Sequence, residues 1–461
     1  MKNIFKNYFS GYNKPGGIRE LLLIALPMII STAADGIMTF TDRLFLAQIG
    51  PEQMNAALGG GIALLTFTFF FTGLSGYSTA LVAQYLGAGQ KDKTTVTAFQ
   101  AMLIVIFAWP VIVLLLPVMK WFFTTAELPQ AQMALQLQYI QILAWGSLAG
   151  MLRHALSCYF SGLGKTRIVM TATLAALAVN VILDYILIFG KLGLPVMGIR
   201  GAAIATVSGA ATAALILFMA YLNRVNRTEY GVLRSFHFDG SVMKKLLYFG
   251  SPAGFEMLLN FIAFSVVVTM FQSRGDVAAT ATTVMFNWDL MSFIPLLGVE
   301  IAVTSLVGRY MGAGRPQVAH RSAISGVKTG MFYSVIVLVF FVFFPHWLVE
   351  IFSPDVPNDV FTNAIPTAVS MIQIASLYVL AESMMVAFIG ALRGAGDTYF
   401  TMFASVTLHW LMVPVLYFTL KVWELPITTS WFIIVLLFLL FCGALYLRFR
   451  GGKWKTIKVV K

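Results

Sequence analysis

Leu81–Gly89 reads LVAQYLGAG, and 225 residues further on Leu306–Gly314 reads LVGRYMGAG. Two more echoes keep step with this pair. Pro27 in LLLIALP and Pro252 in LLYFGSP are again 225 apart, while SGLGKT at Ser161–Thr166 returns as RGAGDT at Arg393–Thr398 after 232. Each echo ends or interrupts an apolar run with small residues, which is how a helix is stopped or bent. Three echoes in register make the chain two copies of one unit.

The composition says what solvent that unit uses. Of 461 residues, 59% are hydrophobic and 11% charged, and the mean hydropathy is +0.83. A soluble domain carries about 25% charged residues. This chain has too little polar surface for water, and it is too apolar for disorder. A spanning helix needs roughly 20 apolar residues. Runs of that length recur at 18–48, 57–86, 97–123, 133–161, 168–190 and 199–222, and again at 244–273, 280–309, 327–352, 365–392, 399–420 and 427–447. The expectation is an all-α polytopic membrane protein, with twelve helices in two pseudo-symmetric six-helix lobes around a central cavity. Residues 1–222 form the N-lobe, 223–243 a cytoplasmic linker, and 244–461 the C-lobe with a basic tail. Two halves of like orientation are parallel repeats, an architecture suited to alternating access.

Charge sets the topology. With the N-terminus inside, 24 of the 31 Lys and Arg lie on the inner side, 5 outside, and Arg43 and Arg153 within spans. Lys2, Lys6 and Lys14 begin that inner set. Both termini are therefore expected in the cytoplasm. The formal charge of +12 is this bias, and no nucleic-acid partner is expected. The first apolar run is too long for a cleaved signal peptide. Cys158 and Cys442 lie in apolar runs and indicate no disulfide framework.

Two motifs invite an enzyme reading and fail. SGLGKT resembles the end of a phosphate loop, but the Gly needed five residues before Gly164 is Tyr159. Gly394–Asp397, GAGD, has the look of an intramembrane aspartyl protease. Asp397 sits at a helix end, and its repeat twin is Lys165. No enzyme, cofactor or metal-ligand cluster is expected, and His154 and His409 read as hydrogen-bonded core residues.

Charged groups inside spans cost roughly 2.5–3.5 kcal/mol each and are functional candidates. Asp35 and Asp42 share a face of the first helix, and Asp35 could pair with Arg43. Asp184 has Asn180 four residues before it on the same face. Thr206 and Tyr139 can add a hydroxyl and a phenol. Neighbouring carboxylates cannot both ionise cheaply, so this group can take a proton or, with its neutral oxygens, a small hard cation. In the C-lobe, Tyr378 and Glu382 share a face, Glu256 lies in the seventh span, and Asp289 and Glu300 stand about three turns apart on the eighth. This oxygen-rich wall suits Na+, H+ or the charge of an organic cation. Pro27 interrupts the first helix as a bend or hinge.

These residues together resemble the multidrug and toxic compound extrusion (MATE) family. ALP at Ala25–Pro27 followed by Asp42 in TDRLFLAQIG looks like its first helix. The LGAG and MGAG ends, SGLGKT and LRGAGDT, and NVILDYILIFG followed by GIRGAAIATVSG are similar to its later helices. The resemblance covers nearly the whole chain. It implies a multidrug efflux antiporter of the cell membrane, a working monomer that exports organic, mainly cationic compounds against inward Na+ or H+. It also implies an ion site at Asp42, Asn180, Asp184 and Thr206, a cation site at Glu256, Tyr378 and Glu382, and bending at Pro27. Carrying both acid sets departs from single-site members, so the coupling ion stays open. The other reading is a lipid-linked precursor flippase of the same superfamily, which would want a basic cavity where this chain places seven acids.

Overall fold

The structure is a computed structural model that describes residues 11–125, 130–354 and 359–460. Lys2 and Lys6 of the basic start lie outside the described residues. Twelve long helices run through it: α1 Ile18–Ile49, α2 Glu52–Gly87, α3 Lys91–Leu114, α4 Gln130–Gly162, α5 Thr166–Phe189, α6 Ile199–Tyr221, α7 Gly240–Gln272, α8 Asp276–Gly312, α9 Pro316–Phe343, α10 Asp359–Ala395, α11 Thr398–Val422 and α12 Ile427–Arg450. Eleven are long and apolar enough to cross a membrane. The twelfth, α4, has the length, with 33 residues, but is richer in Gln and carries Arg153 and His154.

The echoed motifs are helix stops. Gly89, Gly164, Gly314 and Gly396 have φ of 75°, 74°, 67° and 96°. Side chains rarely enter this left-handed region, whereas glycine does so freely. The phosphate-loop and protease look-alikes are therefore turns. Asp397 follows Gly396 and is gripped by Arg448, whose Nε and Nη2 donate to its two oxygens at 2.8 and 3.0 Å.

Several helices start earlier than their apolar runs, two of them with polar turns that the rest of the chain holds. α3 begins at Lys91 rather than 97, and α9 at Pro316 rather than 327. Their first turns are polar yet helical. On α3, the Thr94 and Thr97 hydroxyls bond back to the carbonyls of Lys91 and Lys93. Other side chains there meet the linker. Gln100 donates to the His237 carbonyl at 2.8 Å, Thr95 to that of Tyr230 at 2.8 Å, and Lys93 to Asp239 at 2.5 Å. Asp239 also caps α7 by accepting from the backbone N–H of Ser241 and Val242. Burial raises the Asp239 carboxyl, but the Lys93 hydrogen bond and the two capping N–H groups outweigh it and hold it below the ordinary value.

Contacts divide the chain into two compact units. One is Met1–Ile29 with Leu259–Lys458; the other is Ile30–Leu258 with Val459–Lys461. The cuts fall inside α1 and α7, where the sequence suggests lobe boundaries around the linker. Glycines explain why these half-helices group as they do. In the 30–258 unit, a Cβ at Gly73 of α2 would stand 2.6 Å from the Ala253 carbonyl oxygen of α7, and one at Gly254 2.5 Å from that of Phe70. In the other unit, a Cβ at Gly298 of α8 would stand 2.7 Å from the backbone N of Ile29 on α1. Gly298 follows Gly73 by 225 residues, and Gly254 follows Ile29 by 225. The sequence repeat is thus also a packing repeat, in which backbones approach as only small residues allow.

Candidate functional site

The 30–258 unit holds the first acid group. α5 and α6 pack closely because α6 offers Gly201 and Gly209. A Cβ at Gly209 would meet the Ala176 carbonyl at 3.0 Å and the Asn180 side chain at 3.2 Å. That approach packs the helix that carries Thr206 against the one that carries Asn180 and Asp184. α1 brings Asp42, whose Oδ2 accepts from the Thr206 hydroxyl at 2.9 Å. Asp184 lies in electrostatic contact with Asp42 and Asn180, and Tyr139 of α4 with both acids. Asp42 is 6% exposed, and Asn180 and Asp184 are fully buried. Among the described residues, Asp42 Oδ1, both Asp184 oxygens and the Asn180 amide find no well-aligned hydrogen-bond partner. Such groups are costly to bury unmatched, so the group is chemically incomplete as it stands. It can accept a proton, or offer several oxygens to a small hard cation.

Asp35, two turns before Asp42, stands apart from that group. Its partner is Arg153 of α4 rather than Arg43. Arg153 Nη1 donates to Oδ1 at 2.7 Å and Nη2 to Oδ2 at 3.1 Å. His154 meets the Cys158 thiol at 3.5 Å.

The other unit holds the second group. Tyr378 of α10 donates its hydroxyl to Asp289 of α8. Glu382 lies one turn along α10, in electrostatic contact with Asp289, and its buried Oε2 has no hydrogen-bond partner among the described residues. A small cavity of 10 Å³ is lined by Tyr378, Ala381, Glu382, Met385, Phe438 and Cys442. That is about the space one water-sized body requires. The ring of Phe438 stacks on Tyr378 at 5.3 Å, and Trp431 meets the same ring edge-on at 6.1 Å. These contacts fix the phenol that faces Asp289. Asp289 therefore joins Tyr378 and Glu382. Glu300 does not, because Arg393 donates to it at 2.6 Å. Glu256, 2% exposed on α7, belongs to the 30–258 unit. His409 donates from Nδ1 to the Ser405 carbonyl at 2.8 Å.

Sequence reasoning misses the partners. Asp35 and Arg153 are separated by 118 residues, Glu300 and Arg393 by 93. No local spacing signals either pair; Arg153, a basic residue within its span, hints at the first, whereas Arg393 reads as lying just past its span. Among the described residues, no group of three His, Cys, Asp or Glu side chains is arranged to hold a metal ion.

Comparison with known proteins follows the same halves. The family model MatE matches residues 27–186 and again 252–418. The probable multidrug resistance protein NorM of Thermotoga maritima is 27% identical, covering 99% of this chain and 97% of its own. The multidrug resistance protein PmpM of Pseudomonas aeruginosa is 28% identical over 85% and 82%. Among solved structures, a MOP superfamily transporter from Pyrococcus furiosus superposes with a TM-score of 0.85 at 19% identity, covering 95% of this chain and 97% of its own. The eukaryotic MATE transporter AtDTX14 gives 0.82 at 17%, covering 95% and 96%. At those identities the structures speak for the fold.

Proposed function

The chain belongs to the MatE family of multi-pass membrane proteins, and we propose that it is a secondary active multidrug efflux antiporter. In this reading it exports organic, mainly cationic compounds in exchange for Na+ or H+ by alternating access. It works as a monomer in the cytoplasmic membrane of a bacterial or archaeal cell, with both termini in the cytoplasm and no cofactor beyond the coupling ion. The names of its relatives support efflux.

The observation that carries the coupling is the group around Asp42 and Asp184. Two buried carboxylates stand in contact, with no salt bridge to either among the described residues and several oxygens unmatched. An ion arriving from outside completes the group; its loss on the inside restores the charge that attracts an organic cation. Cargo and ion shift the two states only through their different affinities for each. Tyr378, Glu382 and Asp289 form a second oxygen set that can hold Na+ or H+, and Glu256 is a further acid for cargo or ion. Pro27 lets α1 bend between states, since it leaves the carbonyl four residues back without its helical donor.

The test is purified protein in liposomes loaded with a fluorescent organic cation, driven first by a Na+ gradient and then by a pH gradient with the other clamped. Movement under one gradient names the ion. Under that gradient, Asp42→Asn and Asp184→Asn should lower the rate by about tenfold or more. Movement under neither gradient, from protein that remains monodisperse, would reject antiport of this class and favour the lipid-precursor flippase.

A further inference from the structure

We propose that the basic segment at the end of α12, residues 450–458, is a docking surface for anionic phospholipids of the inner leaflet, with the outer face of α12 taking their acyl chains. The proposal concerns the membrane around the protein and is independent of the cargo.

The segment has a fixed fold. α12 ends at Arg450, and Gly452 turns the chain with a φ of 70°, a left-handed step that suits glycine. A 3-10 turn follows over Lys453–Thr456. Trp454 pins that turn. It is fully buried and donates from Nε1 to the Phe449 carbonyl at 2.9 Å. Its ring stacks on Phe449 at 5.2 Å, and Phe449 stacks in turn on His320 of α9 at 5.0 Å. With the tryptophan held inside, its charged neighbours point out: Arg450, Lys453, Lys455 and Lys458 are all exposed.

These four cations differ from others near helix ends in the same unit. Arg309, Arg393 and Arg448 each lie within 4 Å of a carboxylate, that of Glu20, Glu300 and Asp397 respectively. Among the described residues, no carboxylate comes that close to Arg450, Lys453, Lys455 or Lys458. Residues 448–461 contain no Asp or Glu at all. A held cluster of unmatched cations at the mouth of a spanning helix attracts anionic headgroups.

The surface next to the cluster selects a lipid over a soluble anion. Leu440 and Leu447 are 70% and 66% exposed, and their seven-residue spacing puts them on one face of α12. Tyr446, 45% exposed, stands one turn before Arg450. The exterior of α12 thus passes from apolar to aromatic to basic over its last three turns or so. A phospholipid presents the same order: acyl chain, glycerol backbone, phosphate. Tyrosine favours that boundary, and the excess of Lys and Arg places it on the inner side.

The experiment titrates the full chain, in uncharged detergent micelles, with dioctanoyl phosphatidylglycerol and in parallel with dioctanoyl phosphatidylcholine. Bound lipid is counted by native mass spectrometry. The wild type should prefer the anionic lipid by about tenfold, and about 0.5 M salt should erase the preference. Lys453→Gln, Lys455→Gln and Lys458→Gln combined should remove most of it, while phosphatidylcholine binding changes by less than about twofold. A matched variant, Lys120→Gln, Lys191→Gln and Lys421→Gln combined, removes three charges expected on the outer side and should keep the preference. Trp454→Ala retains every charge but frees the turn, and should lower the preference by about threefold; Trp454→Phe, which keeps a ring, should restore most of it. Glycerophosphoglycerol, the headgroup without chains, should not compete. No preference in the wild type, equal loss in the two charge variants, or an unchanged preference in Trp454→Ala overturns the proposal. Effective competition by the bare headgroup overturns it as well and marks a site for soluble anions.

Discussion

Thr206 has one hydroxyl proton and two acceptors at 2.9 Å, Asp42 Oδ2 and the Ala202 carbonyl. It can donate to only one at a time. A bare Asp42 carboxylate takes the bond; if the coupling ion of the proposed antiport occupies that oxygen, the hydroxyl is free to turn back to Ala202. Thr206→Val keeps the shape and removes this choice. Ion-driven transport should fall by about threefold to tenfold, and Thr206→Ser should restore most of it; equal rates for all three proteins would discount the hydroxyl. Asp397 makes a different point at the same scale. Its side chain is 7% exposed and fully engaged by Arg448. Asp397→Ala strands a partly buried guanidinium and should cost about 3 kcal/mol, seen as a lower melting temperature in detergent. The residue types of both acid groups were legible in the sequence, because an ionisable group inside an apolar run has few bland explanations. Asp35 was legible as a candidate, but its partner was not, since a contact across 118 residues leaves no periodic trace.

At the scale of the element, the helix stops were readable because only glycine serves the left-handed turn cheaply. The polar first turns of α3 and α9 were not, because their helicity depends on side chains that meet other parts of the chain. The linker contact yields a pH prediction. The Asp239 carboxyl is held below its ordinary value in the folded protein, so its contribution is present above the ordinary Asp range and is lost as pH falls through the lowered value. Melting temperature followed from neutral pH into that acid range should decline less in Asp239→Asn than in wild type. At neutral pH the loss of the cap and of the Lys93 pair should cost Asp239→Ala about 1–2 kcal/mol. The glycine crossings give a steric prediction. Gly73→Ala and Gly298→Ala each force a Cβ against backbone of a neighbouring helix, and each should lower the melting temperature. A substitution at Gly61, where a Cβ meets nothing within 4 Å, is the control and should leave it unchanged.

For the whole molecule, two six-helix halves follow from composition and repeat, and the family match falls on both. The place where the contacts divide was hidden. Hydropathy marks where the chain turns, and the linker is its longest polar stretch; which half a helix packs against is decided by glycine positions that hydropathy ignores. The two acid groups are also not copies of one another. At the repeat offsets, Asp42 corresponds to Val267, and Tyr378 and Glu382 to Gly146 and Gly150. Each half acquired its acids where the other has none, so removing one group leaves no duplicate to replace it.

The half-helix exchange bears on how the protein is made. A ribosome delivers α1 first, yet the partner of its opening half, around Gly298, is synthesised some 270 residues later. The glycine face of α2 likewise waits for Gly254. The 30–258 unit cannot finish packing when α1–α6 have emerged, and the opening half of α1 must wait for α8. A nascent chain arrested well beyond Gln272 should therefore already cross-link cysteines placed at Phe70 and Phe255, whose rings meet at 4.8 Å, before any later helix is made. The two halves are joined in time as well as by the linker: each is completed only by a segment that the other half's turn in synthesis brings out.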